Sequence, residues 1–147
     1  MINNSQSEDV SVGIFPPPMS FITFLIASVL MTISFGAIGS IAMNFYFTSS
    51  PEVTLGVLAV LSIIFCLVNY QVVLGSFFAV KVLKLFQYAL LVILVPVVII
   101  QYFSVGIFIF KLVSAVIAIS SIFILDSKQY QIFVQHRLNS VEYYKSV

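Results

Sequence analysis

Long apolar segments alternate with short polar ones along this chain, and the apolar segments have the length of membrane-crossing helices. A helix needs roughly 20 mostly apolar residues to cross the hydrocarbon, because each backbone group must bond within its own segment there. The pattern predicts spans at about residues 21–43, 53–73, 85–101 and 106–125. Membrane strands are excluded, because they alternate apolar and polar positions and Leu90–Ile100 shows no alternation. We therefore predict an all-α integral membrane protein with a four-transmembrane-helix bundle.

Local signals set the ends of these predicted helices. Pro51 suits a helix start, because its missing N–H would have no partner there. The apolar stretch Leu85–Leu125 needs one break, which we place at Gln101–Gly106, where polar residues precede a glycine. Pro96 removes one backbone bond and predicts a kink in the third helix. Residues 1–20 form a tail ahead of the first span, with three prolines at its end that predict a stiff, extended spacer.

The distribution of positive residues predicts the orientation. The second loop and the C-terminal tail hold five of them, and the segments on the opposite side hold none; the five are Lys81, Lys84, Lys128, Arg137 and Lys145. Cytoplasmic loops are enriched in Lys and Arg, so both termini are expected to be cytoplasmic. In general plan only, the chain resembles small four-span proteins of the bacterial inner membrane with both ends inside. That resemblance implies the bacterial inner, or plasma, membrane as its location.

Residues 126–147 predict an amphipathic helix in the cytoplasmic tail. Asp126 and Ser127 can cap its start. One face is apolar and the opposite face is polar. The apolar face consists of Tyr130, Phe133, Val134, Leu138, Val141 and Tyr144. Two interpretations are open: this face lies along the inner leaflet as an interfacial helix, or it docks into a groove on a cytoplasmic partner.

Small residues mark the faces on which the helices are expected to pack, because in lipid they allow backbones to approach closely. The first helix carries Ser28, Thr32, Gly36 and Ser40 at four-residue spacing. The second carries Gly56, Ala59, Ser62, Cys66 and Asn69, and the fourth carries Ser114, Ala118 and Ser121. Each stripe either packs within the bundle or binds a partner helix, and the stripe of the first helix is the best candidate for a partner. The third helix, rich in Leu, Val and Ile, is predicted to be more exposed to lipid.

Lys111 is the single ionisable residue inside a predicted span, three residues before Ser114. It lies about 9 Å along its helix from the predicted break, at 1.5 Å per residue. One interpretation is an anchor whose ammonium group reaches the headgroups or pairs within the protein. The other is a functional charge, paired with a partner protein or lining a polar cavity. Glu52 is a possible pairing partner in this chain.

Composition and charge exclude several classes of function. Only 7% of the 147 residues are charged, which is too few to form the hydrated surface of a soluble domain. The net charge of +1 is also too small to indicate nucleic-acid binding. The single cysteine excludes an intrachain disulfide and a thiolate metal site. Carboxylates and histidines that could converge on one catalytic site are not found in the sequence, and His136 is expected to be solvated or to face the headgroups. We predict no enzyme activity, catalytic residue, metal, cofactor or small-molecule substrate.

Three functions agree with these features. The first is a non-enzymatic accessory or assembly subunit that binds other membrane proteins or a copy of itself in the bilayer. The second is a membrane immunity or inhibitor protein against a toxin, since four spans with both ends inside resemble some immunity proteins against pore-forming bacteriocins. The third is a small oligomeric channel, transporter or holin-like pore, for which few polar residues are available. The partners expected in each case are the lipid bilayer and membrane proteins.

Overall fold

A computed structural model describes residues 15–47, 50–100 and 105–146, and within these ranges the chain is helical, with five helices and no strand. The helices are α1 (Pro18–Tyr46), α2 (Pro51–Val73), α3 (Phe77–Ile100), α4 (Val105–Leu125) and α5 (Lys128–Ser146). In length and composition, α1, α2, α3 and the part of α4 from Phe108 are sufficient to cross a membrane. The prediction of four long apolar helices is confirmed.

The first and third helices start three and eight residues earlier than the predicted spans. The first span was placed from residue 21, but α1 begins at Pro18, since proline is tolerated in the first turn. The third was placed from Leu85, but α3 begins at Phe77. The longer α3 follows from a compact turn, in which the Gly75 N–H donates to the Val72 carbonyl at 2.9 Å and the Ser76 N–H to the Gln71 carbonyl at 3.1 Å. This Schellman pattern ends α2 and lets α3 start at once.

At the other ends, the described helices begin or end within three residues of the predicted spans. Pro51 is the first residue of α2. Pro96 lies inside α3, which continues to Ile100. The predicted break at 101–106 falls mostly on residues 101–104, outside the described ranges, and α4 begins at Val105.

Helix α1 lies at the centre of the fold. Its most extensive packing is against α4, followed by α3 and α5, and it meets α2 over a smaller area. One apolar cluster, containing Phe24, Met31, Leu83 and Val134, joins the transmembrane helices to α5. A second cluster lies farther along the bundle, around Ile38. The membrane helices and α5 therefore share a continuous apolar interior at one end.

The prediction that the third helix is more exposed than the other three is wrong with respect to α2. In the most apolar part of α3, 28% of the residues are buried, against 6% in α2. Leu83, Leu90, Leu94 and Val97 pack into the interior, whereas α2 buries only Phe65 and Val72. Large aliphatic side chains gain dispersion energy by interdigitating, so a helix can pack in the interior without a small-residue stripe.

Candidate functional site

Helix α5 docks against the end of the bundle where α1 begins and where α2 and α4 end. Tyr130, Phe133 and Val134 are buried there, and the Phe133 ring stacks on that of Phe24 with centroids 4.4 Å apart. The rest of the predicted apolar face is less covered, since Leu138 and Val141 are half-buried and Tyr144 is exposed. This chain's own helices therefore cover the first half of the face. Contact of the remainder with lipid or a partner stays a prediction.

Polar side chains on α5 bond to groups at the ends of the transmembrane helices. The Arg137 Nε donates to the Val73 carbonyl at 2.8 Å, and the Gln131 Nε2 donates to the Leu125 carbonyl at 2.9 Å. Both carbonyls belong to the last residue of a helix, where no intrahelical donor is available. Helix α5 thus caps both α2 and α4. Sequence reasoning missed this role, because spacing along α5 does not show which helix ends it meets.

The start of α5 and its junction with α4 have separate polar anchors. The Tyr130 N–H donates to Ser127 Oγ at 3.3 Å, which confirms Ser127 as a helix cap. Asp126 instead forms an ion pair with Lys84 of α3. Burial raises the pKa of the Tyr130 phenol well above its ordinary value, so this side chain stays neutral inside the cluster.

Buried polar contacts connect α1 to its neighbours. Ser34 Oγ of α1 donates to Gln87 Oε1 of α3 at 3.0 Å, and both side chains are fully buried. Asn69 Nδ2 of α2 donates to Ser28 Oγ of α1 at 3.2 Å. Hydrogen bonds across helices stabilise packing in an apolar medium. Ser28 is therefore one stripe residue that the chain uses internally.

Other parts of the small-residue stripes remain uncovered by this chain. On α1, Thr32 and Gly36 are exposed and Ser40 is half-buried. A Cβ atom added at Gly36 would meet nothing within 4 Å, whereas one added at Gly39 would lie 2.8 Å from Leu58 Cδ2. On α2 the uncovered residues are Gly56, Ala59 and Cys66. The stripe of α4 is different, because Ser114, Ala118 and Ser121 are all buried.

Lys111 points into the protein. Its side chain is 1% exposed, and its Nζ donates to the Val97 carbonyl at 3.3 Å. Val97 lies in the last turn of α3, where the helix dipole favours a positive charge, so the Lys111 ammonium group caps this end of the helix. Glu52, the predicted pairing partner, is an exposed residue at the start of α2. The pairing of Lys111 with Glu52 stays a prediction, as does pairing with another protein.

We expect Lys111→Met to lower the free energy of unfolding by about 1–3 kcal/mol, because it removes a buried donor from the Val97 carbonyl. Thermal unfolding in mild detergent measures this change. Lys111→Arg keeps the charge and the donors and should lose less. A double-mutant cycle with Glu52→Gln should be additive within about 0.5 kcal/mol. A neutral Lys111→Met would contradict the capping role, and strong coupling in the cycle would establish the Glu52 pair.

The described residues contain no group of three His, Cys, Asp or Glu side chains placed to hold a metal ion. The sequence predicts that His136 is solvated or faces the headgroups, but in the structure this residue of α5 is buried. Its Nδ1 has no hydrogen-bond partner among the described residues.

An apolar cleft of about 590 Å³ separates α2 from α1 and α3. It is lined by Phe35, Gly39, Leu58, Phe86 and Ile93, among other apolar residues. The Tyr46 hydroxyl beside it donates to the Ile93 carbonyl at 3.1 Å and links α1 to α3. The cleft explains why α2 is the least buried transmembrane helix.

Comparisons of the chain with protein-family models, with curated proteins and with solved structures found no match.

Proposed function

We propose that this protein is a non-enzymatic accessory or assembly subunit that binds another membrane protein through the bilayer-facing surface of α1 and α2. The observation that carries the proposal is the uncovered pair of small-residue stripes. Thr32 and Gly36 on α1, and Gly56 and Ala59 on α2, are exposed. Small residues on a membrane helix permit close approach of a second helix, and none of the described helices covers them.

The exposed small residues of α1 and α2 are different residues from those that stabilise the interior of the bundle. The buried stripe of α4 and the Ser34–Gln87 bond hold the interior of the bundle. The uncovered residues of α1 and α2 can therefore change without disturbing those contacts. A partner helix bound there would gain van der Waals contact that lipid tails provide less well.

Gly36→Leu should abolish partner binding and leave the isolated protein folded. No atom lies within 4 Å of an added Cβ at this position, and glycine is the poorer helix former by about 0.8–1.0 kcal/mol relative to alanine. The measurement is co-purification of unlike membrane proteins after mild solubilisation, alongside the unfolding temperature. Val92→Leu, at an exposed position of α3 outside the proposed surface, is the control and should retain the partner. Loss of folding in Gly36→Leu, or unchanged co-purification, would contradict the proposal.

The same experiment separates the other two functions. An immunity protein should purify alone until its toxin is supplied, and a pore should purify as a homo-oligomer. An accessory subunit should bring unlike subunits with it.

We also propose that the protein lies in a bacterial inner membrane with both termini in the cytoplasm. Five positive residues support this orientation, two in the first turns of α3 and three in the tail. Cysteines at Ser50 and at Lys145, each introduced alone in a Cys66→Ser background, should react with an impermeant thiol reagent from outside and from inside respectively. Both replaced residues are exposed, so their substitution should not disturb the fold. Reaction of both from the same side would contradict the arrangement.

A further inference from the structure

A groove of about 470 Å³ lies between the start of α1, the end of α2 and α5. Its walls are mostly aromatic and aliphatic, and one charged side chain, that of Arg137, lines it; the other lining residues are Phe15, Pro16, Pro18, Phe21, Phe24, Val73 and Phe133. Phe15 is 84% exposed and Phe21 is 45% exposed. Aromatic side chains thus remain largely uncovered on a surface that also presents a cation.

We propose that this groove binds the chain's own N-terminal segment, residues 8–14. The segment leads directly into Phe15, which forms part of the groove wall, so binding needs no second molecule. Glu8 lies seven positions before Phe15, so the chain between them spans at most about 24 Å when extended.

The sequence of the segment complements the walls of the groove. Val10, Val12 and Ile14 alternate with Ser11 and Gly13. In an extended chain this alternation brings the three large apolar side chains to one side. They match the exposed aromatic wall, and their burial there would remove apolar surface from water.

The charges of the segment and the groove are also complementary. Glu8 and Asp9 are adjacent, and the groove offers Arg137. The Arg137 Nε already bonds to the Val73 carbonyl, which fixes the guanidinium, and a guanidinium carries further N–H donors that suit a carboxylate. A bound segment would therefore tie α1 to α5 and to the end of α2.

Disulfide trapping in the full-length protein in native membranes tests this assignment. Val12→Cys is combined with Val73→Cys in a Cys66→Ser background, and the matched control combines Val12→Cys with Tyr144→Cys, an exposed position on the same helix as Arg137. After mild oxidation, free thiols are tagged with a maleimide polymer that shifts the protein on a gel. We expect the Val73 pair to lose both tags as a monomer and the Tyr144 pair to keep them. Glu8→Gln with Asp9→Asn should slow trapping severalfold.

Three results would overturn the proposal. Equal trapping of the Val73 and Tyr144 pairs would show that the segment has no fixed site. A disulfide-linked dimer would assign the groove to the segment of a second copy. Trapping in detergent but not in native membranes would assign the groove to lipid.

Discussion

Replacing Gly75 with alanine should detach α5 from the bundle and lower the free energy of unfolding by several kcal/mol. Gly75 has a φ of 86°, in the left-handed region, where a Cβ atom costs roughly 1–2 kcal/mol. The added Cβ would also lie 2.5 Å from the Leu138 Cα and 2.8 Å from its Cβ. Because part of this clash is with the backbone of α5, a rotamer change cannot relieve it. Overpacking of this kind costs about 1–3 kcal/mol more.

Thermal unfolding in mild detergent and protease protection of the tail measure this effect. Gly36→Ala is the matched control, since it adds the same methyl group to a helical glycine with nothing within 4 Å. It should be neutral or stabilise the helix by up to about 1 kcal/mol. Wild-type protection of the tail in Gly75→Ala would show that α5 can separate from the α2–α3 turn without consequence.

The four apolar helices could be predicted from the sequence because the requirement is local. Each span must satisfy its own backbone and present apolar side chains over about 20 residues, and both properties can be read from one segment. Pro51 marks the start of α2 by an equally local signal, whereas Pro18, predicted as the end of a stiff spacer, is the first residue of α1. Ser127 as the cap of α5 is likewise a local signal, confirmed by its bond to the Tyr130 N–H.

The contacts of α5 could not be predicted, because they join residues distant in sequence. The sequence predicts a longer loop around Gly75, and nothing near this glycine indicates that its neighbour is Leu138. For Arg137 the sequence shows only a positive charge, yet its Nε caps α2 at Val73. The signal for a tight turn that the sequence does contain is Gly75 itself, since a glycine just after an apolar helix is typical of a helix end.

The exposure of the transmembrane helices was hard to predict for another reason. All four are apolar on every side, so the contrast between inside and outside that orients a soluble helix is weak. Small residues indicate where close approach is possible, but α3 packs through Leu83, Leu90 and Leu94 without them. The α2 stripe, by contrast, remains largely open.

Val134→Asp should release α5, whereas Gln135→Asp should leave it docked. Val134 is fully buried in the cluster that joins α5 to the bundle, and Gln135 is exposed. A carboxylate at 134 must give up its hydration or pull the helix into water, at a cost of several kcal/mol. At 135 the carboxylate stays hydrated, so the change should remain within about 0.5 kcal/mol. Limited proteolysis of the tail in native membranes compares the two variants.

Val134→Thr gives this comparison a graded intermediate. Threonine keeps the shape of valine and adds one hydroxyl, whose burial costs about 1–3 kcal/mol when it finds no partner. Protection of the tail should therefore fall in the order Gln135→Asp, Val134→Thr, Val134→Asp.

If leaflet lipid alone held α5, its apolar face would not need the interior cluster, and Phe24→Ala on α1 would leave the tail protected. We expect Phe24→Ala to expose it, because the Phe24 ring stacks directly on Phe133.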